Sequence, residues 1–234
     1  MANPNLPNQP HDASPTLPDG APRGLLVDYG GVLTTSIHES FAEFCIRESL
    51  DPAAFRAALG RAFADATSPA ARIETGVLAP LEFDIELARF LSDGLGAPVS
   101  AERLVERLFL GVRREPVMVE AIRRLRAAGA CTVLVSNSWG GAAYEDEVLD
   151  LLFDHRVVSG TVGLRKPDAA IYEHALSLAS LEPQASVFID DLPLNCEGAR
   201  AVGIAAIHHT DPATTIAELE TLFGVGLSDL VAAS

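Results

Sequence analysis

Five short apolar runs, separated by longer segments with helical periodicity, constrain the fold more than any other feature of the chain. Each run is aliphatic or β-branched, which is typical of strands that are covered on both faces. This alternation after residue 23 predicts an α/β fold with a doubly wound parallel sheet. The predicted strands are Leu25–Tyr29, Cys131–Ser136, Arg156–Ser159, Ser186–Ile189 and Ile204–His208.

Three of the intervening segments carry clear helix signals. Pro116–Ala128 begins with proline and is followed by Gly129, which marks its end. Asp168–Ala179 has its apolar residues on one face. Pro212–Phe223 contains Thr215-x-x-Glu218, the spacing of a capping box, and we predict that this pair opens the helix.

The segment between the first and second strands is too long to be a loop. Residues 36–115 show one helical pattern after another and no strand pattern, so we predict a helical cap subdomain inserted after the first strand. The α/β core then comprises residues 23–35 and 116–234. Residues 1–22 are rich in proline and lack apolar periodicity, which predicts a disordered leader. The apolar cap positions are Phe41, Phe44, Cys45, Phe55, Leu59, Phe63, Leu81–Leu91 and Leu104–Leu110.

Composition excludes several classes of function. The 234 residues carry a formal net charge of −15, which argues against binding to nucleic acid or to anionic membranes. No apolar run approaches the ~18–20 residues of a membrane span, and the first residues lack the features of a signal peptide. Three widely spaced cysteines indicate neither a disulfide framework nor a zinc site. We therefore expect a cytoplasmic protein with reduced thiols.

Polar residues follow the predicted strands at the edge where doubly wound sheets bind ligands. Taken singly, each has a structural interpretation, such as a turn acid or a helix cap. Their shared position at predicted strand ends makes them a constellation rather than four separate accidents. Lys166 is the only lysine beside sixteen arginines, and its compact ammonium is suited to a phosphate. The constellation comprises Asp28, Ser136 with Asn137, Lys166, and Asp190 with Asp191.

Four segments carry a resemblance to the haloacid dehalogenase-like superfamily of hydrolases: LLVDYGGVL, VLVSNSW, GLRKPDAAIYEHAL and VFIDDLPLNCEGARAVGI. The resemblance extends from residue 24 to about residue 210. The second and fourth segments are most similar to the phosphatase-type domains fused to soluble epoxide hydrolases and to some acyl-CoA dehydrogenases. The resemblance implies a Rossmann-like core with a helical cap. It also implies a small phosphorylated metabolite as substrate.

The resemblance also implies a role for each site residue. Asp28 would be the nucleophile that forms an aspartyl-phosphate. Ser136 and Lys166 would stabilise the transferring phosphoryl oxygens, and Asn137 and Gly31 would contact the substrate. The implied ligands of a Mg²⁺ ion are the carboxylates of Asp28, Asp190 and Asp191 and the backbone carbonyl of Gly30, an all-oxygen set that suits this ion.

One position departs from the pattern of the phosphatases. They usually carry a second Asp two residues after the nucleophile, where this chain has Gly30, and such an acid typically contributes roughly 10²–10⁴-fold. Water, Thr34, His38 or the cap could supply a replacement. One alternative function is therefore a pseudo-phosphatase that serves as a binding or regulatory module. A 2-haloacid dehalogenase is a further alternative, although Asp190 and Asp191 argue against it.

The cap leaves the identity of the substrate open. Its arginines could contact a second anionic group or simply form a solvated helix face. Trp139, the only tryptophan, could line the pocket or pack in the core. Exposed apolar surface on the cap would be compatible with a homodimer. The arginines in question are Arg47, Arg56, Arg61 and Arg72.

Overall fold

A parallel five-stranded sheet forms the centre of the molecule, in strand order β3-β2-β1-β4-β5. The computed structural model describes residues 17–63, 67–140, 144 and 146–232. In the middle of the sheet, Val27 pairs with Leu134 on one side and with Ile189 on the other. The strands are β1 (Gly24–Val27), β2 (Cys131–Ser136), β3 (His155–Val158), β4 (Ser186–Asp190) and β5 (Ala205–His208).

Helices cover both faces of this sheet. Leu25, Val27 and Leu134 face one layer of helices, whereas Leu26 and Val133 face the other, as expected when side chains alternate along a strand. The first layer comprises α6 (Pro116–Ala127), α7 (Asp146–Leu152), α11 (Pro212–Phe223) and α12 (Asp229–Ala232). The second layer comprises α9 (Ala169–Ala179) and α10 (Pro193–Ala201), and the short α8 (Ser159–Val162) follows β3. The doubly wound parallel sheet is confirmed.

The described residues between β1 and α6 form five helices, which bury an apolar cluster of their own. We call them the cap helices. Phe44, Phe55, Phe83 and Leu91 are fully buried among them or nearly so. In contrast, Leu81 and Leu110, which the periodicity counted with the apolar faces, are exposed. The cap helices are α1 (Ile37–Arg47), α2 (Pro52–Ala62), α3 (Pro69–Glu74), α4 (Pro80–Leu95) and α5 (Leu104–Phe109).

Two chain segments connect the cap helices to the core, and they run side by side. Thr34 and Arg114 form an antiparallel bridge, and the amide of Thr35 donates to the carbonyl of Arg113 at 2.7 Å. The amide of Glu115 donates to the carbonyl of Leu33 at 2.8 Å. The crossing lies where the sequence predicted the two cap boundaries, after residue 35 and before residue 116. The division into domains stays a prediction.

The predicted leader falls largely outside the described residues, which begin at Leu17. The described part of it, residues 17–22, lies on the core. The amide of Leu17 donates to the carbonyl of Ala128 at 3.0 Å, and its side chain packs against the apolar cluster of the first helix layer. The part of the chain that packs on the core therefore begins before residue 23.

The predicted start of the last long helix was wrong in its capping residue. Asp211, not Thr215, caps α11, and its Oδ1 accepts from the amide of Thr214 at 2.8 Å. Thr215 lies one turn inside the helix, is buried, and has its hydroxyl 2.8 Å from Nδ1 of His209. An acid immediately before a proline at the first helical position is the better start signal here. Among the described residues, no helix combines the length and the apolar character that crossing a membrane requires.

Candidate active site

The polar constellation converges at the carboxyl edge of the three central strands. Asp28 directly follows β1, Ser136 ends β2 and Asp190 ends β4. Because these strands are hydrogen-bonded neighbours in one parallel sheet, their carboxyl ends meet at the same edge. The amide of Asp28 still donates to the carbonyl of Ile189 at 2.9 Å, so the acid is held against β4 just beyond the strand.

Lys166 lies at the centre of this cluster. Its Nζ is 2.8 Å from Oδ1 of Asp28 and 2.6 Å from Oδ2 of Asp190, and only 1% of its side chain is exposed. Asn137 fixes the backbone of the lysine from two sides, since its Oδ1 accepts from the amide at 2.9 Å and its Nδ2 donates to the carbonyl at 3.1 Å. The side chain of Asn137 therefore positions Lys166, while its predicted contact with substrate stays a prediction.

Asp190 is fully buried and receives several hydrogen bonds. Asn195 Nδ2 donates to both of its carboxylate oxygens, at 2.9 and 3.1 Å, and the amide of Leu192 donates to Oδ1 at 2.9 Å. With Lys166 on Oδ2, this carboxylate has a partner on each oxygen. A buried carboxylate needs such partners because burial removes its hydration.

Three carboxylates share this site with one ammonium. Ligand atoms of Asp28, Asp190 and Asp191 all lie within 4.8 Å of one another. Burial raises the pKa of Asp28, the charge of Lys166 opposes it, and Asp190 and Asp191 add to it, which brings the pKa to about 7. Burial and the charge of Asp190 raise the pKa of Asp191 to about 6. The cluster thus carries more negative charge than Lys166 balances.

The donor set of this cluster fits a hard divalent cation. Carboxylate oxygens that converge within 4.8 Å and retain excess negative charge are what Mg²⁺ binds in proteins. Burial alone would lower the pKa of Lys166, but Asp190 and Asp28 outweigh burial and leave it raised, so the lysine stays a cation.

The turn after β1 depends on glycine at one position. Gly31 has a φ of +78°, and a Cβ built on it would lie 2.3 Å from Oδ2 of Asp191. Any other residue here would strain the backbone and displace the Asp191 carboxylate from the cluster. Glycine at position 31 therefore leaves room for the Asp191 carboxylate in the cluster.

Gly30, where the second acid of the phosphatases would stand, is covered by an apolar side chain. A Cβ built on Gly30 would lie 2.6 Å from Cδ1 of Ile37.

Thr34 and His38 are predicted replacements for the missing second acid. The hydroxyl of Thr34 donates to the carbonyl of Thr35 at 3.0 Å and accepts from the amide of Gly31 at 3.1 Å. His38 is exposed and lines the cavity above the site.

That cavity has a volume of about 750 Å³ and lies between the sheet edge and the cap helices. Asp28, Ser136 and Lys166 are at its base. Aromatic and aliphatic side chains dominate its walls, and Glu74 is a buried carboxylate among them. The apolar lining includes Ile37, Phe41, Phe55, Leu59, Phe63 and Phe109.

The four cap arginines separate by location. Arg47 donates to the carbonyl of Arg107 at 2.7 Å, and Arg72 forms an ion pair with Glu86 at 2.8 Å. Arg61 lies against Gly94 in helix α4, whereas Arg56 lines the cavity.

The site also includes two aromatic residues. Sequence reasoning missed one of them and left the role of the other open. Tyr144 donates its hydroxyl to Oγ of Ser136 at 2.9 Å, and its ring contacts Tyr29 with centroids 5.1 Å apart. A lone tyrosine in a polar segment gave no signal for this role. Trp139 lines the cavity and also packs against cap phenylalanines, so both interpretations of it hold.

A parallel sheet with an acid cluster at its carboxyl edge is the arrangement that the four sequence motifs predict. The model of the haloacid dehalogenase-like hydrolases matches residues 22–203. This chain belongs to that family, which confirms the prediction made from its four motifs.

Its relatives include phosphatases. The chain is 38% identical over 114 residues to the mouse Acyl-CoA dehydrogenase family member 10. The aligned region covers 48% of this chain and 11% of that protein. It is 30% identical over 138 residues to the sesquiterpene phosphatase astK of Aspergillus oryzae, or 57% of this chain and 70% of the relative. The rat bifunctional epoxide hydrolase 2 is 31% identical over 114 residues, 46% of this chain and 21% of that protein. The chain thus spans only a small part of the first and third relatives.

Solved structures support the fold. A haloacid dehalogenase family enzyme from Bacteroides thetaiotaomicron, in complex with magnesium and inorganic phosphate, matches with a TM-score of 0.55 at 21% identity, over 79% of this chain and 92% of that one. A dehalogenase matches with a TM-score of 0.58 at 18% identity, over 93% and 99%. At these identities the likeness shows the α/β fold alone. The family match makes this chain a haloacid dehalogenase-like hydrolase, and phosphatases are among its relatives.

Proposed function

We propose that this chain is a Mg²⁺-dependent phosphatase that acts on phosphomonoesters with a large apolar alcohol part, through an aspartyl-phosphate at Asp28. The observation that carries the proposal is the continuity of the Asp28 cluster with a mostly apolar cavity of about 750 Å³. A pocket of that size and lining suits a hydrophobic ligand with few polar groups. The name of the sesquiterpene phosphatase relative supports the same substrate class.

The chain's own residues would divide the reaction as follows. A carboxylate oxygen of Asp28 attacks phosphorus, the P–O bond to the alcohol breaks, and the leaving oxygen takes up a proton. Lys166 and the Ser136 hydroxyl hold the phosphoryl oxygens and compensate their charge. Water then attacks phosphorus, which releases inorganic phosphate and restores the Asp28 carboxylate.

Asp28, Asp190 and Asp191, with the predicted Gly30 carbonyl, would hold Mg²⁺. When bound, the ion would supply charge compensation between the anionic nucleophile and the anionic phosphate. Asn195 and the amide of Leu192 keep the Asp190 carboxylate oriented for that role.

Hydrolysis of 4-nitrophenyl phosphate tests the proposal directly. We expect turnover that requires Mg²⁺, stops with a chelator, and falls by roughly 10³-fold or more in Asp28→Asn, the scale on which loss of a nucleophile acts. Circular dichroism would show that the variant is folded. Turnover that persists in Asp28→Asn would contradict the assignment of the nucleophile.

A homologous series of n-alkyl phosphates tests the substrate class. Each added methylene that enters an apolar cavity contributes about 0.8 kcal/mol, so kcat/KM should rise by up to about fourfold per carbon until the cavity is filled. Phosphoserine, of similar size to the short members but polar, is the matched comparison. A flat series, or a preference for phosphoserine, would contradict the apolar substrate class.

A binding module is the second candidate, because Ile37 covers Gly30 where the second acid would stand. Without an acid at that position, poor leaving groups should react slowly. Calorimetric binding of inorganic phosphate with Mg²⁺, in a protein that hydrolyses neither aryl nor alkyl phosphates, would favour the binding module over the enzyme.

A further inference from the structure

One cap carboxylate contacts both core segments that carry the phosphate-binding residues. Glu74, the last residue of α3, is only 4% exposed. Its Oε1 accepts from Nε1 of Trp139 at 3.2 Å, and its Oε2 lies 2.9 Å from a guanidinium nitrogen of Arg165. Trp139 comes three residues after Ser136, and Arg165 immediately precedes Lys166. The carboxylate therefore lies between the Ser136 segment and the Lys166 segment.

The backbone of the same region is in tight contact with the core. Gly76 follows α3 with a φ of +71°, and a Cβ built on it would lie 2.3 Å from the carbonyl oxygen of Gly160 in α8. On the other side of that contact, a Cβ on Gly160 would lie 3.7 Å from the carbonyl of Ile73. Because two backbones meet here, α3 has little freedom to move relative to the end of β3.

Trp139 extends the contact into the cap. Its ring stacks on Phe41, with centroids 6.0 Å apart at 26°, and lies 5.1 Å from the ring of Phe63. Phe83 and Phe109 meet it edge to face, each at 5.6 Å. A core residue three positions from the phosphate site is thus part of the aromatic wall of the cavity.

The buried carboxylate of Glu74 needs polar partners, and residues of the core supply them. A carboxylate out of water is costly unless it is paired, and here its partners come from the core, not from the cap. Burial raises the pKa of Glu74, while Arg165 and the indole N–H of Trp139 oppose the rise. These core partners therefore offset part of the cost of burying this charge, and they do so when α3, Trp139 and Arg165 are all in position.

We propose that Glu74 is a positioning residue that sets the Ser136 and Lys166 segments in register with the apolar cavity. The inference rests on the proposed function, because it concerns how the alcohol part held by the cap and the phosphoryl group held by the core are aligned. Glu74 acts through Arg165 and Trp139, and small misalignments of a reacting group are costly in rate.

Glu74→Gln is the test, because glutamine keeps an acceptor for Trp139 and removes the charge opposite Arg165. The matched control is Glu86→Gln, which removes the charge of the Arg72 ion pair within the cap. For 4-nitrophenyl phosphate we expect kcat to fall about 10- to 100-fold in Glu74→Gln, with KM changed less than threefold. Glu86→Gln should stay within twofold of the wild type. A folded Glu74→Gln with kcat within twofold of the wild type would overturn the proposal, whatever its melting temperature.

Arg165→Gln reaches the same contact from the core and keeps the test decisive if Glu74→Gln does not fold. It should lower kcat by a similar factor. Where both single variants fold, the double variant should lose little more than either one, because the residues act as a unit. Additive losses would contradict the shared role.

Fluorescence of Trp139, the only tryptophan, separates this inference from the proposed function. We expect Mg²⁺ with inorganic phosphate to change its emission in the wild type and not in Glu74→Gln. If the wild type shows this response without turnover and Glu74→Gln loses the response, the phosphatase fails and the positioning of the Ser136 and Lys166 segments by Glu74 stands. If the wild type turns over and Glu74→Gln behaves identically in kcat and emission, the positioning role fails and the phosphatase stands.

Discussion

The sheet edge and the cap cavity differ in how they treat polar groups. At the sheet edge, Asp28, Lys166 and Asp190 are buried together, and each has a charged partner within 2.8 Å. In the cavity the walls are mainly apolar, with aromatic and aliphatic side chains, and Glu74 is held by partners that belong to the core. The sheet edge thus gathers charged groups that pair with one another, whereas the cavity presents a mainly apolar surface.

This difference predicts that substitutions at the sheet edge affect both activity and stability. Lys166→Met leaves Asp28 and Asp190 without their shared cation, and removing one partner of a buried ion pair costs about 3–5 kcal/mol. Because Lys166 is proposed to stabilise the transferring phosphoryl group, loss of its charge should also lower kcat by roughly 10²–10³-fold. Chemical denaturation and steady-state kinetics measure the two effects.

Arg123→Met is the matched control for the lysine substitution. Arg123 pairs with Glu120 on the exposed surface of α6, and such pairs are worth about 0–1 kcal/mol. A stability loss in Lys166→Met no larger than that of Arg123→Met would show that the sheet-edge cluster is not the paired unit described above.

Burial of Asp28, together with the charges of Asp190 and Asp191, predicts an unusual pH dependence for the metal-free protein. The pKa of Asp28 is about 7 in the fold against 3.8 ordinarily, so the folded state binds more protons than the unfolded state between about pH 4 and pH 7. Its contribution to the free energy of unfolding therefore decreases as pH rises through that window. With chelator present, the melting temperature should fall by a few degrees across it.

Mg²⁺ should reverse this trend. An ion that binds only the folded state at about one hundred times its dissociation constant adds about 2.7 kcal/mol. Asp28→Asn, which lacks the titrating group, should show a weaker pH trend in chelator. A wild-type melting temperature that rises with pH in the absence of Mg²⁺ would contradict the raised pKa of Asp28.

The cap offers a smaller effect with a close control. Gly76→Ala places a Cβ both in a left-handed backbone conformation and against the Gly160 carbonyl, whereas Gly96→Ala, at a φ of +65°, meets nothing within 4 Å. Backbone strain of this kind costs on the order of 1–3 kcal/mol and is common to both. Gly76→Ala should therefore be the less stable of the two by urea denaturation, and equal losses would show that α3 does not press on the core.

The two regions also differ in how far the sequence predicts them. Asp28, Ser136 and Asp190 could be predicted because each stands at a strand end, and parallel strands bring their carboxyl ends to one edge. The apolar faces of the cap helices were predictable from periodicity, as with Phe44 and Phe55.

The contacts between the cap and the core were not predictable in the same way. Glu74 reads as one acid at the end of an amphipathic segment, and its partners are 65 and 91 residues away in the chain. The capping of α11 was also misread, because the local spacing at Thr215 competed with a stronger signal at Asp211. Long-range pairing decides such contacts, and a local pattern does not encode it.

The burial of Lys166 has a practical consequence for labelling. Since it is the only lysine of the chain and 1% of its side chain is exposed, a reagent that modifies ε-amines finds no accessible target on the folded protein. The two carboxylates also keep that amine protonated and therefore unreactive. Acylation of Lys166 would require the sheet-edge cluster to open. The acylation rate, followed by mass spectrometry, therefore reports how often the cluster opens, and no engineered probe is needed.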